Sequence, residues 1–239
     1  MEISPGIEII GLSLWFKKER TLVLGDFHLG YEEYLHQKGI LVPKYQAQEI
    51  IKELEKILKK VQPKTIVING DLKHEFGRVL RQEWKEVLQV IDFLQKNCQK
   101  LILIRGNHDM ILGPIAERRN INVVKEYLLN DTLIIHGDKL VETKAKRIII
   151  GHEHPAISLK EKSKTEKFKC FLKGKWEKKE LIVIPSFNPL LEGTDIAKER
   201  LLSPFLTDIS KFEVWIVHQE EVLNFGKVHN LLQKGAKSI

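Results

Sequence analysis

Short aliphatic runs recur along the chain, and five of them stop abruptly at aspartate, asparagine or histidine: TLVLGDFH (21–28), TIVINGD (65–71), LILIRGNHD (101–109), TLIIHGD (132–138) and RIIIGHEH (147–154). About four β-branched or leucine residues in a row read as a strand buried on both faces. Between the first two runs, YQAQEIIKELEKILKK (45–60) places Ile50, Ile51, Leu54, Ile57 and Leu58 at the spacing of one helix face. A second helix is expected over roughly Val79–Lys96, with Trp84, Val87, Leu88, Ile91 and Leu94 on one side. Strand and helix alternate, so part of the sheet should be parallel.

Beyond Asn120 the helical pattern thins. Strands are expected near Val123–Lys125, Leu133–Ile135, Ile148–Ile150, Phe168–Leu172, Leu181–Ile184, Phe212–Val217 and Val222–Phe225, forming a second sheet. No repeat or low-complexity linker divides the chain, and the polar strand ends are shared between its halves. The expectation is one α/β domain over residues 1–239, a sandwich of two sheets with outer helices. Polar residues at strand ends converge in such a fold, because ligands bind in the crevice beyond the carboxyl ends of the strands.

Composition narrows the class. The chain has 239 residues, 43% hydrophobic, enough for a substantial core. It lacks an apolar stretch of the roughly 18–20 residues a spanning helix needs, and MEISPGIEII has neither the basic start nor the cleavage site of a secretory signal. A cytoplasmic protein without membrane contact is expected. Cys98 and Cys170 are too few for a disulfide framework, and neither sits in a CxxC pair. The net charge is +7, and nine lysines against three glutamates in Leu159–Lys179 account for +6 of it, so the basicity is local.

The five strand ends supply Asp26, His28, Asp71, Asn107, His108, His136, His152 and His154, including five of the nine histidines. Imidazole mixed with carboxylate and amide oxygen, without thiolate, suits Mn, Fe, Zn or Ni rather than a calcium cage or structural zinc. The candidate ligands outnumber what one ion needs, so two divalent ions are the economical reading. Such a pair, about 3.5–4 Å apart, requires a bridging carboxylate and activates water near neutral pH. Asp71, central in the series, is the natural bridge. The site then keeps a small net positive charge that favours an anionic substrate such as a phosphate ester. Each motif alone is weak, since a GD or HGD at a strand end is mostly turn chemistry; the ordered set carries the argument.

That ordered set, D-x-H, G-D, G-N-H-D, H-G and G-H-x-H, resembles the calcineurin-like metallophosphoesterases. The phrases DFHLGYE, GDLKHEFG, GHEHPA, CFLKGKW and SFNPLLEGTD are similar to an archaeal subgroup related to the DNA-repair exonuclease branch and to bacterial phosphoesterases encoded beside DNA ligase. The resemblance implies a two-sheet mixed β-sandwich flanked by α-helices. It implies one metal on Asp26, His28, Asp71 and His154 and another on Asp71, Asn107, His136 and His152, most simply Mn. His108 would then stand beside the phosphate, stabilising charge or protonating the leaving oxygen, and Asp109 would orient its loop. The implied reaction is in-line attack on phosphorus by a hydroxide bridging the metals.

The protein phosphatase branch carries GDxxDRG where this chain reads GDLKHEF, which argues against a protein phosphatase. His74 at this point reads as a loop or helix-start histidine, with phosphate contact as the alternative. The segment Lys160–Lys179, with Phe168, Phe171 and Trp176 among its lysines, suits either nucleic-acid contact by charge and stacking or a solvated hairpin whose aromatics face the core. About 85 residues follow GHEH, which points away from a processive exonuclease and toward small phosphodiesters, nucleotides or nucleic-acid ends. The competing reading is a non-catalytic nucleic-acid-binding or scaffold subunit of a repair assembly. The loop YEEYLHQKG is expected to be exposed and to border the site.

Overall fold

A computed structural model describes residues 1–75, 81–109, 113–161, 164–219 and 221–231. The chain opens with β1 (Glu2–Ser4), β2 (Ile7–Ile10), β3 (Ser13–Phe16) and β4 (Thr21–Leu24), followed by α1 (Tyr31–Gln37) and α2 (Gln46–Lys60). Then come β5 (Thr65–Asn69), α3 (Arg81–Lys96), β6 (Lys100–Ile104), α4 (Gly113–Arg119) and β7 (Asn122–Val124). The remainder is almost all strand: β8 (Glu126–Leu129), β9 (Thr132–Ile135), β10 (Arg147–Ile150), β11 (Pro155–Glu161), β12 (Lys164–Trp176), β13 (Lys179–Val183), β14 (Thr194–Asp195), β15 (Glu213–His218) and β16 (Glu221–Lys227).

Two mixed sheets result. The first runs β1 to β7 in chain order, antiparallel through β4 and parallel from β4 to β7. The second runs β14-β11-β12-β13-β10-β9-β8, with β15 and β16 added through β12; its centre, β9-β10-β13, is parallel. The aliphatic runs work as two-faced strands. Leu22, Leu24, Ile66, Ile68, Leu101 and Leu103 point outward into a core shared with Ile50, Leu54 and Ile57 of α2 and Val87, Ile91 and Leu94 of α3. Alternate residues Val23, Val67, Ile102 and Ile104 point inward and meet Ile134, Ile149, Phe171, Ile182 and Ile184 of the second sheet. The second sheet's other face buries Leu133, Ile135, Ile148, Ile150, Leu181 and Val183 against the 205–212 segment. Each fully buried aliphatic side chain contributes about 1.5–3 kcal/mol, and the period of two splits them between cores without any polar position.

The structure departs from the sequence pattern in specific places. The strand at Asn122–Val124 pairs in parallel with β6, so it closes the first sheet rather than joining the second. The N-terminal meander β1–β3 and the strands β8, β11 and β14 carry too few alternating residues to signal themselves. YEEYLHQ, expected as loop, is helix α1, entered through Gly30 at φ +87°. The expected helix start at 79–80 lies outside the described residues. In the lysine-rich stretch, Phe171 is sealed between the sheets, Trp176 packs on Phe205 at 4.8 Å and Phe168 lies edge-on to His218 at 5.4 Å. These aromatics serve packing. No helix among the described residues is long and apolar enough to cross a membrane.

Candidate metal centre

Five loops leave the carboxyl ends of β4, β5, β6, β9 and β10 and meet above the seam between the sheets. Asp26, His28, Asp71 and His136 form a buried floor, while Asn107, His108, His152 and His154 are half-buried at its rim. The backbone here is unusual: His28, Asp71, His152 and His154 have φ of +44°, +31°, +59° and +49°. Non-glycine residues rarely take this left-handed conformation, which costs on the order of 1–3 kcal/mol each and persists where the surroundings impose it. Glycines clear the remaining space. A Cβ on Gly70 would lie 2.0 Å from His136 Nδ1, and one on Gly106 would lie 2.0 Å from Asp71 Oδ1.

Two triads of ligand-type atoms come together, Asp26/His28/His154 and Asp71/His136/His152, each with its donor atoms within 4.8 Å of one another. Asp71 Oδ2 lies between them, 3.4 Å from His136 Nε2, 3.7 Å from His28 Nε2 and 3.9 Å from His108 Nε2. Asp26 reaches His136 Nδ1 and His154 Nε2, both at 3.2 Å. Asn107 Oδ1 is 2.8 Å from His136 Nε2. Imidazoles also face imidazoles: His28 Nε2 to His154 Nε2 at 3.3 Å, and His152 Nδ1 to His136 Nε2 at 3.2 Å.

Burial opposes ionisation of Asp26, yet His154 and His136 beside it hold its carboxyl well below the usual carboxylate range. Asp71 is likewise held low against its burial, chiefly by its contact with His136. Burial would neutralise His136, but the two carboxylates overcome it and push the imidazole up to about 11. Burial carries His28 down to about 3, and it lowers His108 and His152 as well. The metal-free cluster thus places a proton on His136 between two carboxylates and disfavours one on His28, His108 and His152, a distribution suited to divalent cations taking over that proton's role. The fit is supported by Asp26 Oδ1 and His136 Nδ1, which are buried 3.2 Å apart and find no aligned hydrogen bond beyond that contact. Converging lone pairs of imidazole and carboxylate, with no thiolate, fit a pair of divalent metals.

Other residues hold the loops. The Asp109 carboxylate accepts from the backbone N–H groups of Leu72 (3.0 Å), Lys73 (3.3 Å) and Gly106 (3.1 Å), tying the Asp71 loop to the Asn107 loop. Burial, with Asp71 nearby, pushes it up to about 7. It faces backbone, so it positions the site. His108 donates its backbone N–H to Asp71 Oδ1 at 2.9 Å, while its ring Nδ1 bonds the His74 carbonyl and its Nε2 lies 3.9 Å from Asp71 Oδ2. From the second sheet, Ser186 Oγ and the Phe187 N–H donate to the Asp26 carbonyl at 3.0 and 2.9 Å, and Asn188 Nδ2 donates to the His28 carbonyl at 3.3 Å. The largely buried Lys169 ammonium donates to the Ser186 carbonyl at 2.8 Å and to that of Asn188. Burial brings it down to about 7.

His74 was underrated by the sequence. Its Nδ1 lies 3.4 Å from His28 Nδ1, its ring stacks on His108 with centroids 5.5 Å apart, and Glu83 of α3 accepts from its backbone N–H at 3.1 Å. The available signal was the histidine three residues after GD. Ser186 and Asn188 lie within the SFNPLLEGTD phrase, but neither they nor Lys169 signalled a role in the site, because they act through backbone atoms of distant loops.

A strand-end cluster of this composition, at the seam of a two-sheet α/β sandwich, defines a metal-dependent phosphoesterase architecture. The sequence profile of the calcineurin-like phosphoesterases matches residues 19–217, and the chain belongs to that family. The family is dinuclear and metal-dependent, and the chain carries the matching His/Asp clusters. The crystal structure of nuclease MPE from Pseudomonas putida is similar in fold: TM-score 0.68 and 19% identity, covering 92% of this chain and 94% of that one. Yfce, a phosphoesterase from E. coli, aligns with TM-score 0.45 and 14% identity over 87% and 98% of the two chains. No curated protein matches the sequence.

Proposed function

We propose that this chain hydrolyses phosphodiesters of nucleotides or nucleic-acid ends, with two divalent ions, most simply Mn, held by Asp26, His28, Asp71 and His154 and by Asp71, Asn107, His136 and His152. The observation that carries this reading is the Asp71 carboxylate lying between two donor triads that the loops after β4, β5, β9 and β10 bring together. When bound, the two ions would supply Lewis acidity toward the phosphoryl oxygens and a lowered pKa for water. The rest falls to the chain. Asp71 fixes the His108 loop by accepting its N–H, and the His108 ring is left on the half-exposed rim, where it can donate to a phosphoryl or leaving oxygen. Burial lowers that imidazole's pKa, and the Asp71 carboxylate beside it opposes the shift. Asp109 and the Ser186–Asn188 loop hold the ligands in register.

A nucleic-acid backbone would meet exposed Lys160, Lys164, Lys175 and Lys178 by charge alone, because Phe171 and Trp176 are committed to packing. Contact of that kind weakens steeply with added salt.

The test is hydrolysis of bis-(p-nitrophenyl) phosphate by purified protein with added Mn. Asp71→Asn and His136→Ala should each lower turnover by more than about 100-fold, the scale of losing a dinuclear ligand. Undiminished turnover in either variant would sink the assignment, as would a wild-type protein that binds fewer than two ions per chain.

A further inference from the structure

We propose that Tyr31 and Tyr34 form a stacking subsite for a nucleobase whose phosphodiester is held at the Asp26–Asp71 cluster. This rests on the phosphodiesterase reading and narrows it to base-bearing substrates. Helix α1 starts three residues after His28, so its first turn is anchored to a candidate ligand. Residues i and i+3 share a helix face, and the two rings lie 5.9 Å apart at 22°. Both lean edge-on against His74, at 4.8 and 4.7 Å, and His74 itself meets His28 and His108. A continuous aromatic surface therefore runs from the metal floor through His74 to the tyrosine pair.

That surface is presented to solvent rather than sealed. Both tyrosines are half-exposed, and among the described residues neither hydroxyl has a hydrogen-bond partner. Tyrosines recruited to roof a histidine normally find a partner for the hydroxyl as they are buried. Lys38 places its ammonium 5.5 Å from the Tyr34 ring, adding a cation beside the aromatic faces. Beyond the helix, Ile40 and Leu41 are 52% and 87% exposed, extending the apolar rim. Stacking on tyrosine needs the face of a base, which pairing in a duplex hides, so the subsite favours an unpaired base.

The test compares ligands that differ only in the base. Equilibrium binding of a fluorescein-labelled short oligothymidylate, without added metal, should be about tenfold tighter than that of the same oligomer made of abasic residues, the scale of one stacked base. Replacing both tyrosines with leucine, which keeps an apolar roof over His74, should erase that ratio, while replacing both with phenylalanine should preserve it. In parallel, kcat/KM for the p-nitrophenyl ester of thymidine monophosphate should fall about tenfold relative to methyl p-nitrophenyl phosphate in the leucine variant. Equal binding of the two oligomers by the wild type, or an unchanged ratio in the leucine variant, overturns the subsite. A base preference that survives when the wild type hydrolyses neither ester keeps the subsite and removes the hydrolase.

Discussion

The two ends of the sandwich both gather charge, and they treat it in opposite ways. At the amino ends of the parallel strands, Arg147 of β10 bonds Glu180 of β13, donates to Thr132 Oγ1 at 3.2 Å and to Ser4 Oγ at 3.0 Å, and Ser4 Oγ donates to Glu180 at 2.7 Å. Lys173 adds a bond to the Ile3 carbonyl at 2.7 Å. Opposite charges and complementary donors satisfy one another there, linking β1 of one sheet to the second sheet. At the carboxyl ends, imidazole faces imidazole and carboxylate oxygens lie close to one another's partners. Two buried atoms there lack an aligned bond, and four residues take costly backbone angles. One end is complete as folded. The other is arranged for a guest that carries positive charge.

That contrast can be broken by separating activity from stability. The largest effect expected is at the ligand end: Asp71→Asn, which keeps an acceptor for the His108 N–H and a residue type that tolerates positive φ, should remove Mn-dependent turnover while changing the metal-free melting temperature little. A large drop in metal-free melting temperature would mean the cluster stabilises the fold by itself. At the opposite end, Arg147→Met should cost about 1–2 kcal/mol in chemical denaturation by removing its bonds to Glu180, Thr132 and Ser4, with kcat of the folded fraction retained. Loss of kcat without loss of stability would dissolve the distinction between the ends.

Asp109→Ala should fall between these, costing about 2 kcal/mol because three backbone N–H groups lose their acceptor, and lowering kcat as the Asp71 and Asn107 loops separate. A purely kinetic or purely thermodynamic effect would show that its carboxylate does not join the two loops.

The smallest effect expected is at Lys169. Lys169→Met should weaken the Mn concentration dependence of activity several-fold, with kcat recovered at saturating Mn, because the ammonium grips the loop that holds the Asp26 and His28 carbonyls. Its folded pKa of about 7 lies below the ordinary lysine value of 10.5, so between these values the unfolded chain binds the extra proton. Stability must then rise with pH across that window, and the rise should vanish in the methionine variant. A denaturation midpoint whose pH dependence is the same in both proteins would place that titration elsewhere.

The sequence by itself determined the central aliphatic strands and the candidate ligand residues at their ends. A run such as LVL (22–24) or III (148–150) has no polar position, so it reads as a strand covered on both sides, and an abrupt change to GD, GNHD or GHEH marks where it leaves the core. The amphipathic stripe of α2 was equally plain. Tertiary structure decided the rest. Strand β7 joined the first sheet because the chain returns through α4 to pair in parallel with the edge of β6, which its short run does not announce. The roles of His74, Lys169, Ser186 and Asn188 arose only when loops from both sheets met, since each acts through the backbone or ring of a residue far away in sequence. The aromatics of the lysine-rich stretch were ambiguous until the sandwich closed, because a period of two says that alternate residues share a face and not which face is covered.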